Sequence, residues 1–440
     1  MRIELPENVN KIIHQLQANG FEAYAVGGCV RDSLLGRIPQ DWDITTSATP
    51  EQVKSLFART IDTGIEHGTV TVMLDHTGYE VTTYRIDGEY EDARHPKEVT
   101  FTGNLIEDLK RRDFTINAMA YNDEQGLVDA FSGIEDLEDQ VIRCVGNPLD
   151  RFGEDALRML RAVRFAAQLG FSIEEETRAG ITALAGTIQK VSAERIQVEL
   201  VKLLVSAHPE ELRTAWELGL TAVFLPEFDE MMKTPQNTKH HMYPVGEHTL
   251  KALQEIPRDK VLRLTMLFHD VAKPICRTTD EAGCDHFRGH PEKGVDMTKD
   301  ILRRLKFDND TIHKVCVLVR YHDDRPPITP VKIRQAVSRI GLENFPQLFL
   351  VKRADTLAQS LYEREAKLAY IEDYRRLYEE ILEKGWCVRK QDMAINGKDL
   401  IALGMAPGKE LGEELDRLFT HVLAVPEHNT KEKLLQLAHK

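Results

Sequence analysis

Two aspartates separated by one residue, Asp41 and Asp43, have the types and spacing most suggestive of chemistry in this chain. Alternate side chains of a β-strand point to the same face, so a strand here would hold both carboxylates side by side. Carboxylate oxygens are the ligands that hard cations such as Mg²⁺ prefer. Glu80 lies on a predicted neighbouring strand and supplies a third carboxylate. The three residues predict a catalytic two-metal site for phosphoryl transfer.

A glycine pair and two arginines accompany these carboxylates. Gly27 and Gly28 follow a predicted strand and open a helix, an arrangement in which backbone N–H groups approach an anion closely. Arg31 lies on that helix and can hold a triphosphate oxygen, and Arg112 in RRDFTINAM can contact phosphate or ribose. Each motif alone is equally typical of a turn or a solvated helix start. Their order along one chain indicates a nucleotide site.

A second constellation lies in the middle of the chain. Its members are imidazoles and carboxylates at helix-like positions: His248, His269, Asp270, His290, His322 and Asp355. Groups of this kind hold one or two transition metals that activate water. A lone histidine is more often structural, so the ordered series rather than any one member predicts a metal site. The alternative left open is a helical spacer without chemistry of its own.

The elements that must position these residues follow from the pattern of the chain. Residues 1–145 alternate short β-rich runs with helical stretches, which predicts an α+β head. Beyond about residue 150, apolar residues recur three and four apart, which predicts an all-α remainder. Breaks rich in proline and polar residues lie near 146–148, 233–248 and 322–330. We expect four domains: 1–145, 146–232, 233–360 and 361–440.

Composition excludes several classes of protein. With 42% hydrophobic and 29% charged residues in 440, the chain has no apolar run of the roughly 18 residues that span a membrane. Its first residues carry no secretory or transit pattern, so we expect a cytoplasmic protein. The six cysteines form no CxxC pair, which argues against a zinc ribbon or disulfide scaffold. Residues 1–150 contain 13 basic and 27 acidic residues and carry the whole net charge of −14, which suits a metal site better than a phosphate track.

Five stretches resemble the motifs of a known family: GGCVRD, DWD, RRDFTINAM, GEDALRMLRAVRFA and AERIQVEL. In this order, over roughly residues 20–225, they resemble the bacterial-type (class II) tRNA nucleotidyltransferases and the related poly(A) polymerases. The resemblance implies a head with the polymerase β-type nucleotidyltransferase fold. The positions to which it gives roles are Asp41 and Asp43 for Mg²⁺, Glu80 as the third catalytic carboxylate, and Gly28, Arg31 and Arg112 for the nucleotide.

In that family the segment matching EDALRMLRAVRFA selects the incoming base. Cytosine and adenine present an amino donor beside a ring-nitrogen acceptor, whereas uracil and guanine present a carbonyl beside an N–H. An aspartate acceptor beside an arginine donor admits only the first pair, and the resemblance gives this role to Asp155 and Arg158. Arg161 and Arg164 would support the base or the phosphates. Arg195 would brace the helix predicted for this segment. Without the resemblance, these residues would equally form a solvated face with ion pairs.

The resemblance implies an enzyme that adds CCA to the 3′ end of tRNA from CTP and ATP, releasing pyrophosphate, with the tail 361–440 holding the tRNA. Addition of CC alone and synthesis of poly(A) are alternatives in the same class. The polar stretch 87–96 matches a flexible loop of complete CCA-adding members and favours the full sequence. The histidine series resembles the HD-superfamily metal-dependent phosphohydrolases, so hydrolysis of nucleotides or RNA ends is an alternative main or second activity. The oligomeric state stays open.

Overall fold

The computed structural model describes residues 2–88 and 99–438. The chain forms two compact units, Met1–Pro226 and Glu227–Lys440. The strands are β1 (Ala23–Val26), β2 (Ile44–Thr46), β3 (Thr60–Gly64), β4 (Thr69–Leu74), β5 (Thr77–Thr83), β6 (Arg85–Asp87), β7 (Val99–Phe101), β8 (Met119–Asn122), β9 (Gly126–Asp129), β10 (Val141–Ile142), β11 (Ser172–Ile173), β12 (Thr278–Thr279) and β13 (Asp285–His286). No helix of the described residues is long and apolar enough to cross a membrane.

Helices surround the sheet of the first unit and make up most of the second. Those that begin in the first unit are α1 (Glu7–Ala18), α2 (Gly28–Leu34), α3 (Pro50–Leu56), α4 (Leu105–Lys110), α5 (Gly133–Glu138), α6 (Pro148–Glu154), α7 (Leu157–Leu169), α8 (Glu175–Leu184), α9 (Ala193–Leu204), α10 (Leu212–Glu217), α11 (Thr221–Phe224) and α12 (Pro226–Lys233). The others are α13 (Val245–Glu255), α14 (Lys260–Phe268), α15 (Lys273–Cys276), α16 (His290–Arg304), α17 (Asn309–Tyr321), α18 (Pro330–Ile340), α19 (Phe345–Ala358), α20 (Arg364–Glu383), α21 (Gly397–Ala402), α22 (Lys409–Ala424) and α23 (Lys431–Leu437).

A seven-stranded mixed sheet forms the centre of the first unit, in the order β3-β4-β5-β2-β1-β8-β9. β2 and β5 are parallel, and the other neighbouring pairs are antiparallel. Every residue of β1 and β2 is buried, as expected for central strands covered on both faces. β4 instead alternates, with Val70 and Val72 buried. α1 packs on β1 through an apolar stripe at helical spacing that includes Val9, Ile12 and Leu16.

The predicted α+β head followed by a helical body is confirmed. After residue 150, the strands of the described chain are the two-residue segments β11, β12 and β13. In the second unit, α13, α14, α16, α17 and α19 pack on one another. Three members of the histidine series lie on α13, α16 and α19, and the other three directly follow α14 or α17. Residues 89–96 of the predicted loop lie outside the described part of the chain.

Candidate functional site

The three predicted catalytic carboxylates meet where β2 and β5 run side by side. The strand prediction for the aspartates needs correction, because β2 begins at Ile44 and so Asp41 and Asp43 lie in the segment just before it. The parallel register pairs Ile44 with Val81, which puts Asp43 level with Glu80 on β5. All three carboxylates face solvent at this edge. The sheet therefore brings together residues that lie 39 positions apart in the sequence, from Asp41 to Glu80.

These carboxylates repel one another. Loss of water around the carboxyl group raises the pKa of Asp43, with Arg112 lowering it and Asp41 raising it further. The pKa of Glu80 is raised by loss of water, then by Asp43 and Asp41. Like charges held together favour a cation between them, so this donor set fits divalent metal. Among the described residues, these three are not one of the groups whose ligand atoms all lie within 4.8 Å of one another.

The predicted phosphate cradle is built around Gly27. Gly27 follows β1 and precedes α2. Its backbone has φ +81° and ψ −128°, a conformation that residues with a Cβ rarely adopt. A Cβ on Gly27 would lie 3.0 Å from Nη1 of Arg112, whereas one on Gly28 would lie 3.7 Å from Nη2 of Arg31. Only glycine therefore leaves room for Arg112 against this turn.

Arg31 and Arg112 are held in different ways. Arg31 is buried and donates to Asn117 at 2.7 Å and to Asp32 at 2.9 Å. Arg112 lies 3.6 Å from Asp108, and its Nε is buried without a hydrogen-bond partner among the described residues. Burial lowers the pKa of Arg112, and Asp108 opposes this shift. A buried N–H that lacks a partner is costly, so this donor is suited to an anionic ligand such as a phosphate.

The segment for which the resemblance implies base selection was expected to be a single helix, and the structure differs. α6 ends at Glu154 and α7 begins at Leu157, so Asp155 lies in the break between them. Arg195 donates to both carboxylate oxygens of Asp155, at 2.7 and 3.2 Å, which is the bracing contact that the resemblance implied. Arg158 donates to Glu154 at 2.5 Å. Asp155 and Arg158 are thus each oriented by a separate partner.

Sequence reasoning missed the carboxylates that orient the remaining arginines. Arg161 donates to Asp113 at 2.8 Å, and Arg164 donates to Glu199 at 2.8 Å. Burial disfavours the charge on Asp113, but Arg161 and Arg158 hold its pKa at about 2. Both acids belong to the quoted motifs RRDFTINAM and AERIQVEL, which was the available signal.

The histidine series forms a second cluster, in the second unit. It consists of two triads that share Asp270, namely His248–His269–Asp270 and Asp270–His290–His322, each with its ligand atoms within 4.8 Å. Nε2 of His269 lies 3.2 Å from Oδ2 of Asp270, and Nε2 of His290 lies 3.4 Å from Oδ1. The two oxygens of Asp270 therefore face different halves of the cluster.

The sixth member of the series joins the first half, because Asp355 lies 2.9 Å from Nε2 of His248. His269 and His322 each place Nδ1 2.7 Å from a backbone carbonyl, which directs Nε2 towards Asp270. A cavity of about 410 Å³ opens onto Asp270 and also contacts Lys273. Imidazoles oriented in this way and buried carboxylates fit transition metals.

Three family models match the chain. The head domain of poly(A) polymerase matches residues 23–143, an RNA- and SrmB-binding site of polymerase A matches 170–232, and domain 2 of tRNA nucleotidyltransferases matches 293–438. The CCA-adding enzyme of Enterococcus faecalis is 37% identical over 430 residues, covering 98% of this chain and 94% of the relative.

Solved structures give the same picture. The crystal structure of the Bacillus stearothermophilus CCA-adding enzyme in complex with CTP is 29% identical, with a TM-score of 0.70, covering 98% of this chain and 96% of that one. The Thermotoga maritima CCA-adding enzyme complexed with tRNA is 20% identical, with a TM-score of 0.59 and coverage of 100% and 99%. At that identity the second match shows a shared fold alone.

Proposed function

Because this chain belongs to the family of CCA-adding enzymes, we propose that it joins CMP, CMP and AMP in turn to the 3′ end of tRNA, using CTP and ATP and releasing pyrophosphate. The observation that carries this function is the 37% identity that runs through nearly the whole of both chains. The six cysteines are all free, which supports a reducing, cytoplasmic location. For the domains we retain the division 1–145, 146–232, 233–360 and 361–440.

The catalytic step is assigned to the carboxylates at the edge of the sheet. Members of this family use divalent metal, and we assign it as Mg²⁺ held by Asp41 and Asp43 with Glu80 as the third carboxylate. Bound there, two ions would lower the pKa of the tRNA terminal hydroxyl and offset charge on the triphosphate. The mutual repulsion of Asp43 and Glu80 supports this assignment, because it is relieved when a cation binds.

Nucleotide binding is assigned to the residues around Gly27 and the α6–α7 break. Gly28, Arg31 and Arg112 would hold the triphosphate. The Nε of Arg112, which has no hydrogen-bond partner in the described part of the chain, supports this role. Asp155 would accept a hydrogen bond from the base, and Arg158 would donate one to it. Arg195 holds Asp155 in place, and Glu154 holds Arg158. The remaining supporting residues are Arg161 and Arg164.

Product sizes from three tRNA transcripts test the function. The transcripts end before CCA, at C and at CC, and each is incubated with Mg²⁺ and with CTP and ATP, separately and together. We expect two cytidines and one adenosine to be added, and extension then to stop. Extension that stops at CC would mean CC-only addition, and long A tails made without CTP would mean a poly(A) polymerase. Asp41→Ala is expected to abolish every extension.

A second candidate function rests on the two triads that share Asp270. In this proposal Asp270 would hold transition metal together with His248, His269 and Asp355 in one half of the cluster and with His290 and His322 in the other. Bound there, the ions would activate water for hydrolysis of a phosphate ester. The two oxygens of Asp270 face different halves of the cluster, which supports Asp270 as a ligand in both halves.

Two variants separate the two activities. Metal content is measured by elemental analysis, and phosphate release is measured with mononucleotides and with RNA ending in a 2′,3′-cyclic phosphate. Asp270→Ala is expected to lose transition metal and phosphate release but to keep CCA addition. Asp41→Ala is expected to show the reverse pattern. If elemental analysis found no transition metal in the wild-type protein, the second function would be refuted. The cluster would then belong to a helical spacer.

A further inference from the structure

Three arginines assigned to the nucleotide surround one aromatic ring. The guanidinium carbons of Arg164, Arg31 and Arg161 lie 3.6, 5.0 and 5.4 Å from the centre of the Phe165 ring. Cations within about 6 Å of an aromatic face are attracted to its electron density. Phe165 is only 4% exposed, and the ring of Phe114 packs edge-on against it at 5.8 Å. The ring is therefore a fixed surface against which three cations rest.

A chain of polar contacts joins the same arginines. In order, the linked side chains are Arg31, Asn117, Asp113, Arg161, Glu199 and Arg164, with successive separations of 2.7, 3.2, 2.8, 3.8 and 2.8 Å. The interleaved carboxylates screen the arginines from one another. This series of contacts begins at Arg31 and ends at Arg164, and both of these arginines also contact the ring of Phe165.

The arginines come from two elements with different assigned roles. Arg31 lies on α2, beside the phosphate cradle, whereas Arg161 and Arg164 lie on α7, which begins just after Asp155. The face of Phe165 is the feature that all three contact. An aliphatic side chain of similar size would fill the space but would lack the electron density that attracts guanidinium groups.

We propose that Phe165 is a positioning residue that couples the triphosphate side of the nucleotide site to its base-selecting side. The proposal rests on the proposed nucleotidyl transfer and adds to it a residue that does not itself touch substrate. Loss of the ring would leave Arg31 and the two arginines of α7 joined by the polar contacts but no longer aligned on a common surface. Both the affinity for nucleotide and the choice of base would then decline, whereas the metal-dependent step would be preserved.

Phe165→Leu tests this proposal, because it keeps an apolar side chain and removes the ring. Steady-state kinetics are measured with CTP on tRNA lacking CCA and with ATP on tRNA ending in CC. We expect KM to rise about tenfold for both nucleotides with kcat changed less than about threefold, as for loss of a buried cation–π contact. Misincorporation of UMP and GMP should rise relative to CMP and AMP. Phe165→Tyr, which keeps the ring, should restore values close to wild type.

Phe152 provides the matched control. It is fully buried in the neighbouring helix α6, and among the described residues it has no cation over its ring. Phe152→Leu should lower the melting temperature without changing KM or selectivity. Phe165→Met replaces Phe165→Leu if thermal unfolding shows that the leucine variant does not fold.

The outcomes separate this proposal from the proposed function. Wild-type KM values and selectivity in Phe165→Leu would overturn the positioning role, as would equal kinetic losses in Phe152→Leu. If wild-type protein added no nucleotide to tRNA, the proposed function would fail. Phe165 would then be judged by equilibrium titration with CTP, in which unchanged affinity in Phe165→Leu would overturn the role and weaker affinity would support it.

Discussion

Replacing Gly27 with alanine should damage nucleotide use more than it damages folding. At φ +81° and ψ −128°, a residue with a Cβ pays about 1–3 kcal/mol in backbone strain. The new Cβ would also lie 3.0 Å from Nη1 of Arg112, closer than nearly all real contacts. Arg112 would then have to shift by a few tenths of an ångström, which misaligns its unpaired Nε. A charge-assisted hydrogen bond lost in this way is worth about 1.5–3 kcal/mol, or roughly tenfold to a hundredfold in KM for CTP.

Gly20 supplies the matched control for this prediction. It also has a positive φ, +86°, but a Cβ there meets nothing within 4 Å. Both Gly20→Ala and Gly27→Ala should therefore lose stability in urea unfolding, and only Gly27→Ala should raise KM in the CTP incorporation assay. If Gly27→Ala kept the wild-type KM while losing stability as Gly20→Ala does, the space at Gly27 would not serve Arg112. The reasoning about the phosphate cradle would then be wrong.

Further predictions concern the charges of the site. Asp43→Asn should reduce incorporation by at least about a thousandfold while preserving the fold, as checked by single-turnover assays and circular dichroism. Because partial loss of water and the neighbouring carboxylates raise the pKa of Asp43 and of Glu80, activity should fall on acidification at a higher pH than ordinary carboxylates would give. Excess Mg²⁺ should move this limb of the kcat/KM profile to lower pH. The pKa of Asp113 is lowered to about 2, so its ionised form stabilises the fold above the unfolded-state pKa. This contribution to the free energy of unfolding is about 2 kcal/mol, and it is lost as pH falls from about 4 to 2. Urea unfolding of Asp113→Asn should show no such loss. Arg195→Lys should lower discrimination against UTP about tenfold in competition assays, because one ammonium cannot replace a two-pronged contact with Asp155.

The sequence predicted which carboxylates belong together but not where β2 begins. The two-residue spacing of Asp41 and Asp43 favours a strand, but the structure assigns neither residue to one. Pairing with β1 ends near Asp43, whose carbonyl accepts from the N–H of Val26. The next residue, Gly27, turns the chain into α2, so β1 does not continue as a partner for Asp41. The strand boundary is therefore set by a turn in a distant segment, which spacing alone does not reveal.

The break between α6 and α7 has a similar origin. Apolar periodicity continues through this region and predicts one helix. In the structure Asp155 accepts from the backbone N–H of Leu157 at 3.0 Å, and Arg195 holds its carboxylate from 40 positions away in the chain. A tertiary contact thus overrides a local propensity. The sequence also did not predict the contacts of Phe165, because they are tertiary contacts and its place on α7 marks it only as an apolar residue.

The arginines around the proposed nucleotide are neutralised within the protein, and this limits how nucleotide can be held. The pairs are Arg31 with Asp32, Arg161 with Asp113, and Arg164 with Glu199. The first 150 residues are also strongly acidic. A triphosphate therefore meets no large excess of positive charge, and long-range attraction contributes little to its binding. Affinity for the triphosphate must therefore come from groups held in the right position. These groups are the donors fixed by their carboxylates, the Nε of Arg112, which has no partner among the described residues, and divalent metal at the edge of the sheet. In such a site the carboxylates that neutralise the arginines are as necessary to selectivity as the arginines themselves.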